Sequence, residues 1–226
     1  MTDNHLTIPE SILLLALHDE TGERKGEYLP YALAGAAVTE LVLQGRLREL
    51  GDPPKKLAVA DVKPTGDAYI DACLQVILEK GSGKDAQAYI ETIGGRSGLT
   101  HLLYDRLTER GIVSETKSRV LLLFTRTTYP EANPAPEKAL EKRLLGVITG
   151  SGPVDERDGA IIALAHHVDI LKLDFDRDTL KTHKDRIKAI ANGSMLPPNA
   201  TKAAIESMKA AVMIATIVPA IVAATG

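Results

Sequence analysis

The 226-residue chain is 44% hydrophobic and 25% charged, with 27 Lys and Arg against 30 Asp and Glu for a formal net charge of -3. That length supports a sizeable core, and that balance gives no global pull toward nucleic acid or anionic lipid, so any such binding needs a local basic patch. Trp is absent, aromatics are 4% and Cys73 is the only cysteine, which excludes an internal disulfide framework, fits a reducing cytoplasm and leaves Leu, Ile, Val and Ala to fill a helical interior.

The first element lies in LTIPESILLLALHDETG, Leu6 to Gly22. Its apolar run is too short for a membrane span, and its flanks lack the basic start and small-residue cleavage site of a signal peptide. Thr7 in the cap position, Pro9 just inside and Glu10 in the first turn predict a core helix. Pro30 to Gln44 reads as a helix that is apolar nearly all round, stopped by Gly45. A hairpin is predicted over Arg46 to Lys63. Asp67 starts a helix ending at Gly81, and Lys84 to Thr92 is a shorter one. Ser97 is the expected cap of a helix whose Leu99, Leu102, Leu103 and Leu107 share one face, with Gly111 as its stop. A second hairpin is predicted over Ile112 to Thr128. Both hairpins read as alternating or β-branched runs around a polar turn. Further helices are predicted over Pro136 to Ile148, Asp158 to Leu171, Asp178 to Ala191 and from Lys202 onward, with Ala210 to Gly226 as a buried terminal helix. ANPAP (Ala132 to Pro136) and SMLPPNA (Ser194 to Ala200) read as loops, not linkers. The expected fold is mostly α: one domain over residues 1–226, a helical bundle decorated by two β-hairpins.

Several chemistries can be weighed and set aside. GSGK, Gly81 to Lys84, lacks the earlier Gly and the following Ser or Thr of a phosphate-binding loop, and a helix precedes it. Asp174, Asp176 and Asp178 have calcium-loop spacing, but Thr179 replaces the sharp-turn Gly and Asp185 the closing Glu, so an acidic helix start is expected. His166 and His167 point about 100° apart on a helix and are expected to be packed, hydrogen-bonded core histidines. Cys73 is expected to be inert packing. No nucleophile with a base and no two-carboxylate pair is legible. The sequence therefore predicts no enzyme, no metal and no cofactor.

Two features ask for a function. IGGRSG, Ile93 to Gly98, runs into a helix, where backbone amides, the helix dipole and Arg96 together suit a phosphate; the alternative is a plain turn with a Ser cap. The repeated helix–Gly–hairpin unit is the plan of a winged helix on DNA. The helix before the second hairpin exposes Thr100, His101, Asp105, Thr108 and Glu109, a poor face for phosphates.

Several segments in order resemble the Golgi phosphoprotein 3 family: LTIPESILLLALHDETG, LAGAAVTELVLQGRL (Leu33 to Leu47), PTGDAYIDACL (Pro64 to Leu74), LTERGIVSETKSRVLLLFTRTTYP (Leu107 to Pro130) and ALAHHVDIL (Ala163 to Leu171). The resemblance implies a peripheral membrane protein that binds phosphatidylinositol 4-phosphate. It also implies an adaptor for the cytosolic tails of membrane proteins, with a Leu-Leu-Phe hairpin that self-associates and reaches the membrane. The family pattern has a Trp after the first helix, an Arg where this chain has Ala34, and two Arg where it has Ser97 and Thr100. In their place the expected headgroup residues are Arg24, Lys25, Tyr28, Arg96, Ser97 and His101, in a pocket between Arg24 to Ala34 and Gly94 to His101. Leu121, Leu122, Leu123 and Phe124 are the expected oligomer contact. The expected partners are an anionic phospholipid headgroup and a membrane surface, from the cytoplasmic side, with a nucleic-acid-binding winged helix as the alternative.

Overall fold

Thr7 opens the first helix with a reciprocal cap. Its hydroxyl accepts from the Glu10 amide at 3.3 Å, and the Glu10 carboxylate accepts from the Thr7 amide at 2.7 Å. Helix α1 (Ile8–Leu15) is buried along its whole length. A fully buried Leu or Ile contributes about 1.5–3 kcal/mol, so its apolar run outweighs any exposed ion pair. The computed structural model describes residues 5–25, 28–51, 56–120, 124–196 and 209–210. Among them the fold is mostly α, with two small antiparallel sheets.

Helix α2 (Leu29–Leu43) is the centre of the bundle and is buried on every side from Ala32 to Val42, as its all-round apolar sequence predicts. Its small residues Ala32, Ala34, Gly35, Ala36 and Ala37 let neighbours come close. It packs against α1, α3 (Ala68–Lys80), α4 (Ala86–Gly94) and α7 (Glu156–His167). Strands β1 (Leu47–Leu50) and β2 (Lys56–Val59) form the first hairpin, in register from Leu47 opposite Val59 to Leu50 opposite Lys56. Asp67 caps α3, and Gly81 closes it at φ +91°. The GSGK loop is stitched to this hairpin: the Leu57 amide donates to the Lys84 carbonyl at 2.7 Å, and the Gly83 amide donates to the Leu57 carbonyl at 2.9 Å. Those loop groups are spent on the sheet, in line with the dismissal of a phosphate loop.

Helix α5 (Leu99–Glu109) is opened by Gly98 at φ +89°. The expected Ser97 cap is not there: Ser97 is exposed in the turn before it, and the cap makes no side-chain bond. Leu103 and Leu107 are buried, with Leu99 and Leu102 packed at the edge. Strands β3 (Thr116–Val120) and β4 (Phe124–Thr128) pair from Thr116 opposite Thr128 to Val120 opposite Phe124. This corrects the expected polar turn. Glu115 to Ser118, the polar stretch, lies at the base and on β3, and in sequence the two strands are separated by Leu121, Leu122 and Leu123. Thr116 to Arg119 are all exposed, so this hairpin stands off the body. Leu121, Leu122 and Leu123 lie outside the described residues, as does the side chain of Phe124.

Helix α6 (Ala135–Thr149) follows, then α7, capped by Asp155. The helix expected to reach Leu171 stops at His167 because Asp169 takes a left-handed conformation at φ +62°, which Asp tolerates better than most residues. A short α8 (Leu171–Asp174) resumes. The helix expected over Asp178 to Ala191 is two, α9 (Arg177–Thr182) and α10 (Lys184–Ala191), meeting at His183. Among the described residues no helix is long and apolar enough to cross a membrane. Apart from 209–210, the predicted helix from Lys202, including nearly all of the apolar stretch Ala210 to Gly226, falls outside the described residues.

Candidate functional site

A cleft of about 340 Å³ opens where the turn after α1 meets α5 and β4. One wall is Gly22, Glu23 and Arg24, a second is His101 and Tyr104 of α5, and a third is Arg126 to Tyr129 at the end of β4. The HDETG turn is pinned to β4 by backbone: the Tyr129 amide donates to the Gly22 carbonyl at 3.1 Å, and the Glu131 amide to the Asp19 carbonyl at 2.9 Å. The second wall is held by charge. Buried Glu10 accepts from Arg106 at 2.9 Å and Arg110 at 2.8 Å, which fastens α5 to the start of α1. Tyr104 and Tyr129 stack at the floor with ring centroids 4.0 Å apart and 13° between planes.

The cleft is cationic at its rim. Arg24 is exposed and has no hydrogen-bond or ion-pair partner among the described residues. Arg126 pairs with Glu23 at 2.9 Å, but both side chains are about half exposed, and such a pair is worth at most about 1 kcal/mol. Burial pushes the Tyr104 hydroxyl above its ordinary value, with Arg24 acting in the opposite sense. Burial, then Glu115 and Asp105, push Tyr129 the same way. Both phenols therefore remain neutral near pH 7. The set offers guanidinium donors, an imidazole, Thr127 and Thr128 hydroxyls and two ring faces. That suits an anion carried on a ring of sugar size.

Of the residues expected at the pocket, Arg24 and His101 line this one cleft. Lys25 is exposed, and its charge acts on Asp174. Tyr28 is the half-buried residue before α2. Helices α2 and α4 do pack together, with the Tyr31 ring over Gly94, where an added Cβ would stand 2.5 Å from it. Arg96, however, pairs with Glu79 at 2.8 Å and does not line the cleft. The amides of Gly95 and Arg96 donate back into α4. Arg126, Tyr104 and Tyr129 were not singled out from sequence, because only the strand pairing brings the Thr-Arg-Thr-Thr-Tyr run to α5.

Other expectations change. His166 and His167 are half-buried, not core. They sit edge to face, 5.2 Å apart, at the end of α7, on a cleft of about 510 Å³ that Lys188 and Lys209 also line. The Nδ1 of His167 lies 2.8 Å from the Ala163 carbonyl, so a hydrogen bond is present. His166 further lines an adjoining cleft of about 360 Å³ with Lys172, Arg177, Lys181 and Lys184. Cys73 is buried, and that burial pushes its thiol up to about 12, as inert packing requires. Asp176 caps α9 and Asp178 lies in its first turn, as an acidic helix start should. Asp174 parts from them and meets Glu137 and Glu141 of α6, their carboxylate oxygens lying within 4.8 Å of one another. The absence of paired carboxylates read from sequence is thus corrected.

The family model described as Golgi phosphoprotein 3 (GPP34) matches residues 8–208. The chain is 27% identical over 167 residues to vacuolar protein sorting-associated protein 74 of Eremothecium gossypii, covering 63% of this chain and 49% of that one. It is 23% identical over 171 residues to a VPS74-like protein of Dictyostelium discoideum, covering 69% and 64%. The chain thus spans about half to two-thirds of the length of these curated relatives. The match runs from the first turn of α1 past α10, through the hairpin and all three walls of the cleft: the chain belongs to the Golgi phosphoprotein 3 family.

Proposed function

We propose that this protein binds an anionic phospholipid headgroup in the cleft between Arg24, His101 and Arg126, and associates peripherally with the cytoplasmic face of a membrane. The observation that carries this is the shared use of one hairpin. Strand β4 brings Arg126, Thr127 and Thr128 to the cleft, and the same strand begins at Phe124, next to Leu121 to Leu123. Residues two apart on a strand are about 7 Å apart, so the β4 residues that line the cleft lie close along one strand to its start at Phe124. A cleft of this size fits a phosphorylated ring and not a duplex. The α5 face that a winged helix would lay on DNA exposes Asp105 and Glu109 instead of a basic surface. Family membership supports phosphatidylinositol 4-phosphate as the headgroup and an adaptor role in the sorting of membrane proteins through their cytosolic tails. It also supports self-association through Leu121, Leu122, Leu123 and Phe124.

Flotation with liposomes containing phosphatidylinositol 4-phosphate tests the reading. Arg24→Ala is expected to weaken binding about tenfold or more, the scale of one charge-assisted hydrogen bond. Glu23→Gln, which frees Arg126, is expected to strengthen it. Arg96→Ala and Lys142→Ala are expected to stay within about twofold, because Arg96 keeps company with Glu79 and Lys142 is an exposed residue of α6. Arg143 does not serve as that control, since it holds buried Asp158 at 2.9 Å. Unchanged binding in Arg24→Ala, with loss in Lys181→Ala plus Lys184→Ala, would move the site to the α8–α10 cleft. Leu122→Ser with Phe124→Ser is expected to keep the helical circular dichroism, lower membrane retention and shift sedimentation toward monomer. A wild-type chain that is monomeric at high concentration removes the self-association part.

A further inference from the structure

Glu137 and Glu141 stand one helical turn apart on α6, and Asp174 ends α8 beside them. Glu137 is only 4% exposed. One of its carboxylate oxygens, and one of Asp174, is buried without a hydrogen-bond partner among the described residues. A buried carboxylate oxygen without a donor costs free energy, and here two are left so within the same cluster. The group is too acidic to be a salt-bridge site waiting for Lys25 alone, since Asp19 and Glu131 add their charges from the turn and the segment before α6.

We infer that Glu137, Glu141 and Asp174 form a divalent cation site with a preference for Ca²⁺. Ca²⁺ holds oxygen ligands at about 2.3–2.6 Å, so opposite pairs stand about 4.6–5.2 Å apart; Mg²⁺ at about 2.0–2.1 Å needs about 4.2 Å. The three carboxylates lie within 4.8 Å of one another, close enough to share one ion, and a set of protein carboxylates suits Ca²⁺ better than Mg²⁺, which dehydrates reluctantly and keeps several waters. Three carboxylates against a double charge leave one negative charge, which Lys25 faces. The cation would join α6 to α8 and stand in the field of Asp19, three residues from Gly22 of the cleft. It therefore acts as a staple behind the headgroup site and stands whether or not that site binds lipid. Burial, then Asp19 and its acidic neighbours, push Glu137 up to about 9, and burial with Glu141 and Asp19 pushes Asp174 up to about 7.

The test uses the full chain, stripped with chelator, at neutral pH. Calorimetric titration with CaCl₂ is expected to show one saturable site. Calcium at about a hundredfold over its dissociation constant is expected to raise Tm by about 5 °C or more, and equimolar Mg²⁺ by less. Glu137→Gln and Asp174→Asn, each removing charge without bulk, should remove both the heat and the Tm shift. Either folded variant suffices for this test. No heat and no shift in the wild type up to about 10 mM Ca²⁺ would overturn the inference, since even weak calcium sites fill there. So would a Tm shift that survives in a folded variant, which would mean diffuse binding elsewhere.

Discussion

Arg157→Ala is expected to lower stability by about 3 kcal/mol, read as a fall in Tm of roughly 6–12 °C for a chain of this size. Glu40 is 1% exposed in the last turn of α2, and both its oxygens accept from Arg157, at 2.5 and 2.8 Å. The lower end of the range for a broken buried pair applies because the Arg157 side chain is itself one-third exposed. The variant keeps only the Ile8 amide and Gln44, each at 2.9 Å, against a buried charge. The pH dependence separates this from simple loss of packing. Burial alone would raise the Glu40 carboxyl, but the Arg157 hydrogen bonds and charge, the Ile8 amide and Gln44 together hold it below its ordinary value. A lowered carboxyl gives stability that is present above the unfolded pKa and lost as pH falls through the folded one, so the wild-type pair is at full strength from about pH 5 upward. Without Arg157, burial dominates, the carboxyl rises, and this group's contribution should decline as pH climbs through the neutral range. Adding Glu40→Gln should restore part of the loss and flatten that slope. A Tm unchanged by Arg157→Ala would show that the pair contributes nothing.

Gly22→Ala is the second large effect, expected at about 3 kcal/mol. The backbone sits at φ +62°, a conformation that costs an L-residue about 1–2 kcal/mol. A Cβ there would stand 2.1 Å from the Pro130 nitrogen and the Tyr129 carbonyl carbon. Backbone does not swing aside as a side chain does. Relief needs the turn to part from β4 and give up the Tyr129 and Asp19 hydrogen bonds, at about 1 kcal/mol each. Gly45→Ala is the control. Its φ is +69° but nothing lies within 4 Å of the added Cβ, so only the conformational cost applies. Urea unfolding of both measures the difference. Because Gly22, Glu23 and Arg24 make one wall of the cleft, Gly22→Ala should also lose liposome binding under conditions where it is still folded. Equal stability loss in the two variants would refute the close approach.

The local grammar of the chain was legible where a single residue carries the geometry. Thr7 with Glu10, Asp67, and Gly45, Gly81 and Gly111 mark ends that the helices keep. Breaks without such a residue were not. No Gly or Pro announces the division at His183, and Asp169 ends α7 by a conformation that only its own backbone reveals. The second hairpin is legible but its turn is not, because the polar stretch that resembles a connection belongs to the exposed base and first strand. Long-range charge was invisible. Glu10 and Arg110 are 100 residues apart, Glu40 and Arg157 are 117 apart, and each looks like an ordinary helix-surface residue in its own segment. Separation along the chain likewise hid Arg126 from Arg24, and Asp174 from Glu137.

The inert thiol of Cys73 makes this chain a convenient object for spectroscopy. At pH 7 a group with its pKa near 12 is ionised to about one part in a hundred thousand, and it is buried besides, so thiol-directed dyes should pass it by. A cysteine placed on the exposed hairpin by Ser118→Cys would then be the one reactive handle, with the native residue left in place. An environment-sensitive label there would report, in the untouched fold, the moment at which β3 comes near a lipid surface.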